Sequence, residues 1–509
     1  MGSSKMADGC DVAPLIHHTN GKPCALGVRR RNFSLSVICG VLLLSAAVYF
    51  VAQVVFPYAI IRSEQGEHHD YVNPLLKLPN WLDNVNDKNG TKNKPTPTNV
   101  SLQAAQATQA VKMTQGGGIV VENKLQIDSS DKNNNPEVKM DTPAHLYVLS
   151  KEEADKTGAY CLDGSPPAYY FRKGSGTGQK SWIVWLEGGG ACVNLTSCYQ
   201  RSFTNLGSSK GLNHQKTLHG MSSASKDVNP DFYTWNVALL VYCDGFFYAG
   251  NREDPVKHSG KSLYFRGRRN LNALIDRLLQ TGLGEAERMI LGGGSAGAIG
   301  TYAGADDVIA RLPSSIDVKI VPDSGMFMDL PDRDGVYSFN DSYTSVTELH
   351  NASASANKAC REAHPQDEQW KCGFPENLVP YEPAPVFMLN YLYDKVALKD
   401  VVRTTCRPDQ CTGKDMAAVQ NYRTTLLQVA QSELTEKDGA FLITCFAHGF
   451  GNDHAWTEFT VNNKTVRQAV GDWYFGRSKD NVNVDTGPDL NPTCRNYLSK
   501  DTEIQSLWD

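Results

Sequence analysis

Neither a C-x-x-C pair nor an H-E-x-x-H stretch occurs in the 509 residues, so the chain lacks the usual ligand spacings for zinc. An excess of positive charge is also missing. Against 55 Asp and Glu there are 50 Lys and Arg, a formal net charge of −5, which leaves no basic footprint for nucleic acid. The polar run from Asp128 to Glu137 has the composition of a calcium loop but not its central glycine, and it contains Pro136. It reads as solvated low complexity, and His17-His18 and His68-His69 read as surface residues rather than metal ligands. No cofactor is expected.

Charge is absent in one further place, and there the absence is informative. From Phe33 to Ile61 no charged residue interrupts a run rich in Val, Leu, Ile and Ala, longer than the roughly 20 residues a spanning helix needs. The run ends in Val54-Val55-Phe56-Pro57-Tyr58, which suits a membrane interface better than a signal-peptide cleavage site. Arg29-Arg30-Arg31 precede it, whereas Arg62, Glu64 and Glu67 follow. The positive-inside rule then predicts a single-pass type II protein. Its expected parts are a cytosolic tail (1–32), a signal anchor (33–61), a polar low-complexity stem (62–142) and a luminal or extracellular domain (143–509). The stem, with Pro95-Thr96-Pro97-Thr98 and Gly116-Gly117-Gly118, has too little apolar surface to offset its ordering entropy.

The cysteines agree with that topology. Three of the thirteen lie in the first forty residues, and the other ten, from Cys161 to Cys494, form an even set suited to disulfides in an oxidising compartment. Sequons for N-glycans at Asn89, Asn99, Asn194, Asn340, Asn351 and Asn463 all follow the anchor.

Beyond residue 143 apolar runs alternate with helical patterns. Strands are predicted near Leu146, over Trp182–Leu186, Val237–Tyr242, Met289–Leu291 and Val318–Val321, and over Pro385–Leu389. Leu271, Leu274, Ile275 and Leu278 recur at helical spacing. Such alternation predicts an α/β domain with a mainly parallel sheet covered on both faces.

The centre of this domain is Gly293-Gly294-Ser295-Ala296-Gly297, which fits the G-x-S-x-G nucleophile elbow. A strand precedes it, and Ile299 to Leu312 can form a helix that Pro313 ends. A sharp strand-to-helix turn is expected to leave no room for a Cβ on either side of Ser295. It would expose the hydroxyl and bring backbone N–H groups to a helix start, where negative charge is favoured. A second glycine stretch, Gly188-Gly189-Gly190, follows the strand ending at Leu186 and can supply another oxyanion donor. An esterase of this design needs an acid and then a histidine after the nucleophile. Asp323 and Asp394 at strand ends, and His448 and His454 beyond them, are the candidates. Spacing alone leaves all four open.

The motifs taken together resemble the pectin acetylesterase family of plants and bacteria, which also contains the animal Notum carboxylesterases. The resemblance runs from Tyr160-Cys161-Leu162-Asp163-Gly164-Ser165 through Glu187-Gly188-Gly189-Gly190, Tyr242-Cys243-Asp244-Gly245 and the Ser295 elbow to Asp394 and Phe446-Ala447-His448. It implies an α/β-hydrolase-like fold and cofactor-free ester hydrolysis. It further implies Ser295 as nucleophile, Asp394 as acid and His448 as base, with Gly189, Gly190 and the Ala296 N–H around the oxyanion. Disulfides Cys161–Cys243 and Cys192–Cys198 are implied as well. Two departures bear on substrate. Ala191 stands where the plant enzymes carry a tryptophan, and Gly449-Phe450 replaces their Cys-Gln. Notum-type enzymes have Trp-Tyr after two glycines, where this chain has Gly190-Ala191. The expected function is removal of O-acyl groups, first O-acetyl, from an extracellular or secretory-pathway polysaccharide. The alternative is a fatty acyl ester on a secreted protein. A catalytically silent glycan binder is a third reading, and the complete candidate triad argues against it.

Overall fold

The apolar runs become the centre of one ten-stranded sheet in the computed structural model, which describes residues 142–494 and, farther up the chain, a short antiparallel pair, Lys112–Met113 with Ile119–Val120. The expected tail, the anchor at 33–61, nearly all of the stem, and the sequons Asn89 and Asn99 lie outside the described residues. Among the described residues no helix is long and apolar enough to cross a membrane.

The strands of this sheet are β1 (Ala144–Val148), β2 (Ala168–Arg172), β3 (Ser181–Leu186), β4 (Gln215–Lys216), β5 (Asn236–Leu240), β6 (Arg288–Gly294), β7 (Asp317–Asp323), β8 (Phe387–Tyr391), β9 (Gly439–Ile443) and β10 (Val482–Val484). Their order across the sheet is β10-β9-β8-β7-β6-β3-β5-β2-β1-β4. The seven from β10 to β5 run parallel. The remaining three pair antiparallel at one edge. The sheet is therefore mixed and mostly parallel, as the alternating pattern predicts.

Alternate residues of each central strand enter different cores, because side chains along a strand point to opposite faces. Trp182, Val184, Met289, Leu291, Ile320, Met388 and Leu442 join one core. Ile183, Ile290, Val321, Leu389 and Phe441 join the other. Helices α1 (Gly267–Gln280), α2 (Ala296–Arg311) and α5 (Gly413–Glu433) contribute Leu274, Tyr302 and Leu426 to the first core. Helix α6 (Val466–Tyr474) contributes Val470 and Trp473 to the second. Both faces are thus covered, which explains why these strands read as continuous apolar runs.

The predicted strands fall within one to three residues of their expected bounds, and Leu271, Leu274, Ile275 and Leu278 all lie in α1. The helix after the elbow starts at Ala296, not Ile299. Gly297 is a weak helix former, but close packing against the end of β3 holds it in the first turn, and tertiary context overrides propensity.

All ten cysteines downstream of Ser129 are paired: Cys161–Cys243, Cys192–Cys198, Cys360–Cys372, Cys406–Cys411 and Cys445–Cys494. Two shorter helices, α3 (Ser338–His350) and α4 (Lys395–Asp400), stand beyond the carboxyl ends of β7 and β8. The loops after β3, β6, β7, β8 and β9 leave the same edge of five adjacent parallel strands, where open α/β sheets place their ligands.

Candidate active site

Ser295 caps the start of α2 with φ 55° and ψ −121°, a backbone region that a residue with a Cβ rarely adopts. Its N–H donates to the Asp323 carbonyl at 2.8 Å, which ties the elbow to the end of β7. The neighbouring glycines show what makes the turn possible. A Cβ on Gly297 would overlap the Leu186 and Glu187 carbonyls of the β3 end. One on Gly293 would overlap the Gly297 carbonyl and approach Thr301 Oγ1. One on Gly188 would overlap the Gly294 carbonyl and crowd Ser295 Cβ. Gly294 is different, since its nearest neighbour would be Trp185 Nε1 at 3.9 Å. The expectation that Cβ atoms are excluded beside the serine is therefore corrected. The steric ban falls two residues away on each side, at Gly297 against the β3 end and at Gly293 against the first turns of α2.

Asp394 stands three residues past the end of β8 and caps α4. Its Oδ1 accepts from the Val396 and Ala397 N–H groups at 3.0 and 3.1 Å. The same buried carboxylate reaches His448 Nδ1 at 2.8 Å (Oδ2) and 2.9 Å (Oδ1). Burial alone would lower the His448 pKa. The charge and hydrogen bond of Asp394 outweigh it, with a smaller contribution from Asp323, so the imidazole lies above its ordinary 6.5. Asp323, the rival acid, faces elsewhere. Its Oδ2 accepts from the Phe450 N–H at 2.8 Å and its Oδ1 from the Ser324 hydroxyl at 2.9 Å. Burial pushes its pKa up to about 6, against those hydrogen bonds and His448.

The loop carrying His448 is held from several sides. Gly449 N–H donates to Ser324 Oγ at 2.9 Å, the Tyr391 hydroxyl donates to the Gly449 carbonyl at 3.0 Å, and Lys395 N–H donates to the Ala447 carbonyl at 3.1 Å. Asp323 and Ser324 thus support the loop, while Asp394 alone of the two acids contacts the imidazole. His454 stands on a separate short helix, Asp453–Glu458, edge-on to Phe459.

A cavity of about 940 Å³ collects these groups. Ser295, His448, Gly189, Gly190 and Ala296 all line it, as do the two departures Ala191 and Gly449. The N–H groups of Gly189, Gly190 and Ala296 have no acceptor among the described residues, and Gly189 and Gly190 adopt φ of 146° and 63°. One wall is aromatic and apolar: Phe247, Phe327, Phe339 and Ile299. The rim carries Lys399, Asp400 and Arg403, with Ser338 and Ser342 of α3. None of these wall and rim residues was found from the sequence. They come from loops and from helices α2, α3 and α4, far apart in the chain, and no spacing links them.

Such an α/β sheet, with a serine on a strained strand-to-helix turn beside a carboxylate-bound histidine, has the architecture of an ester hydrolase. The sequence model of the pectinacetylesterase family matches residues 139–495. Pectin acetylesterase 11 of Arabidopsis thaliana is 36% identical over 370 residues, 69% of this chain and 93% of the relative. Pectin acetylesterase 5 of the same plant is 34% identical over 373 residues, 70% and 86%. Palmitoleoyl-protein carboxylesterase notum1a of Danio rerio is 27% identical over 390 residues, 72% and 75%. The chain belongs to the pectin acetylesterase family and is a carboxylic-ester hydrolase.

Two predictions follow from this geometry. Gly297→Ala and Gly293→Ala should each destabilise the protein by roughly 1–3 kcal/mol through overpacking. Gly294→Ala should stay within about 0.5 kcal/mol of the parent. Denaturant melts of the three variants test this, and equal losses for Gly294 and Gly297 would contradict the described turn. The second concerns the acid. If His448 is the base it must be neutral, so kcat/KM should rise with pH through an apparent pKa above 6.5. Asp394→Asn should remove that elevation and lower kcat by as much as roughly 10⁴-fold, as in serine proteases. A larger kcat loss for folded Asp323→Asn would reverse the assignment.

Proposed function

We propose that the protein is a serine esterase that removes O-acyl groups, foremost O-acetyl, from a polysaccharide in the secretory pathway or outside the cell. The observation that carries this reading is the His448–Asp394 hydrogen bond beside a cavity that His448 shares with the strained Ser295. In the first half-reaction His448 takes the Ser295 proton as the hydroxyl oxygen attacks the ester carbonyl. Asp394 keeps the Nδ1 proton in place and stabilises the imidazolium. The Gly189, Gly190 and Ala296 N–H groups receive the oxyanion, helped by the partial positive charge at the start of α2. The imidazolium then returns its proton to the departing sugar oxygen. In the second half-reaction His448 deprotonates water, which cleaves the acyl-serine and releases acetate.

Support for a carbohydrate comes from the two plant relatives, named pectin acetylesterases, and from the hydroxyl-bearing and charged rim. The second reading, removal of a fatty acyl group from a protein, is favoured by the Phe247–Phe327–Phe339 wall and by the more distant palmitoleoyl-protein carboxylesterase. Acyl length separates the two. On nitrophenyl esters kcat/KM should peak at acetate to butyrate, and a steady rise toward sixteen carbons would favour the fatty-acyl reading. On the preferred ester, Ser295→Ala and His448→Ala should each remove most activity and the double variant little more, since residues acting as one unit are non-additive. Full activity of folded Ser295→Ala would refute the mechanism.

The type II topology is proposed on the uncharged span and the three arginines before it. Asn194, Asn351 and Asn463 are exposed, with the Asn351 amide donating to the Asn251 carbonyl at 3.3 Å, whereas Asn340 is partly buried and donates to Asp329 Oδ1 at 3.0 Å. Protease added to intact vesicles should spare the esterase domain, and deglycosylation should raise its mobility on gels. Digestion of the domain in sealed vesicles would overturn the topology.

A further inference from the structure

Three consecutive glycines make the stretch after β3 the most freely rotating part of the cavity wall, yet oxyanion binding requires donors fixed before the reaction begins. Something outside the stretch must hold it. Tyr242, two residues past the end of β5, is fully buried behind it. Its hydroxyl donates to the Gly190 carbonyl at 2.7 Å and accepts from the Phe247 N–H at 2.9 Å.

We propose that Tyr242 is a positioning residue for ester hydrolysis, its hydroxyl locking the glycine stretch to the aromatic wall at a set separation. The proposal rests on the oxyanion role given above to Gly189 and Gly190.

Peptide groups are planar, so a bond to the Gly190 carbonyl orients the unit joining Gly190 to Ala191 and restrains the ψ torsion of Gly190. The Gly190 N–H belongs to the preceding peptide unit, so the hydroxyl positions it through the anchored Gly190 Cα, about which the chain turns at a left-handed φ of 63°. On the other side Phe247 and Tyr248 are consecutive non-glycine residues at φ 51° and 55°, a conformation that costs each of them roughly 1–2 kcal/mol. The loop endures that strain because its N–H groups are all engaged nearby. Phe247 bonds to Tyr242, while Phe246 and Tyr248 donate to Asp244 Oδ2 at 3.1 and 3.2 Å. Phe247, like the glycines, lines the cavity.

The phenol ring itself has no freedom to swing. The Arg201 guanidinium lies 5.0 Å from the ring centroid and the Tyr248 ring 5.2 Å away. A Cβ on Gly189 would stand 3.3 Å from the Tyr242 ring and overlap the Leu206 side chain. Burial raises the phenol pKa far above its usual value, so the hydroxyl keeps its proton and remains a donor at every working pH.

Tyr242→Phe removes only the oxygen and leaves the ring. In the full chain we expect kcat on nitrophenyl acetate to fall roughly 10- to 100-fold, the scale of a misplaced oxyanion donor. KM should change less than about threefold, and the pH midpoint of the rate should not move, because the His448–Asp394 pair is untouched. The inhibition constant of a phenylboronic acid, which forms a tetrahedral adduct on a catalytic serine, should weaken by a similar factor to kcat. Tyr170→Phe is the control. It loses a buried hydroxyl bond of the same kind, to the Asn213 carbonyl at 2.9 Å, on β2, which carries none of the residues lining the cavity. It should keep kcat and boronate affinity. Unchanged kcat and boronate affinity in Tyr242→Phe would overturn the proposal, as would an equal loss in Tyr170→Phe. Failure of the parent enzyme to bind the boronate would instead count against the serine mechanism.

Discussion

Gly297 packs so closely on the Leu186 carbonyl that a Cβ there would overlap it, and the arrangement of the cavity depends on that contact. Any side chain at Gly297 would drive α2 away from the end of β3. The glycine stretch and Ser295 would separate together, because Gly188 makes the reciprocal contact with Gly294 and Ser295. Two turns without side chains are pressed against each other, and the space lost there is what lets two sets of backbone N–H groups border one cavity. Interiors packed to crystal density transmit such displacements instead of absorbing them.

A second level of organisation is the division of labour between two buried carboxylates at adjacent strand ends. Both Asp323 and Asp394 accept backbone N–H groups, yet only Asp394 spends oxygen capacity on the imidazole. Asp323 and Ser324 instead fasten the two residues after His448. The histidine is thus oriented by one acid and its loop by the other. The separation of roles depends on where each side chain is directed in the assembled sheet.

The elbow, the parallel sheet and the strand ends were legible in the chain because each has a local cause: alternation, apolar runs, and glycines where chains cross. The acid was not. Asp323 and Asp394 each close a strand, and only the direction of a side chain in the assembled sheet separates them. The resemblance to a family named the same acid that the structure bonds to His448, but spacing could not have done so. Phe247, Phe327 and Phe339 were invisible for a related reason, since their meeting is a property of loops brought together by the sheet. The left-handed turn at Phe247 and Tyr248 carries no residue-type signal at all, as neither is glycine or asparagine. The helix start at Ala296 was misjudged because Gly297 is a weak helix former until packing holds it.

The Cys445–Cys494 bridge joins the base of the His448 loop to a cysteine near the far end of the described residues. It imposes a sequence in time. During synthesis the strand, elbow and glycine stretch around Ser295 leave the ribosome well before Cys494 does. A nascent chain therefore carries its nucleophile for a long interval while the loop that bears its histidine still lacks a covalent partner. The last fastening of that loop waits for Cys494 to emerge and for an oxidant to meet it, so maturation of this enzyme is tied to the redox chemistry of the compartment in which the chain is finished.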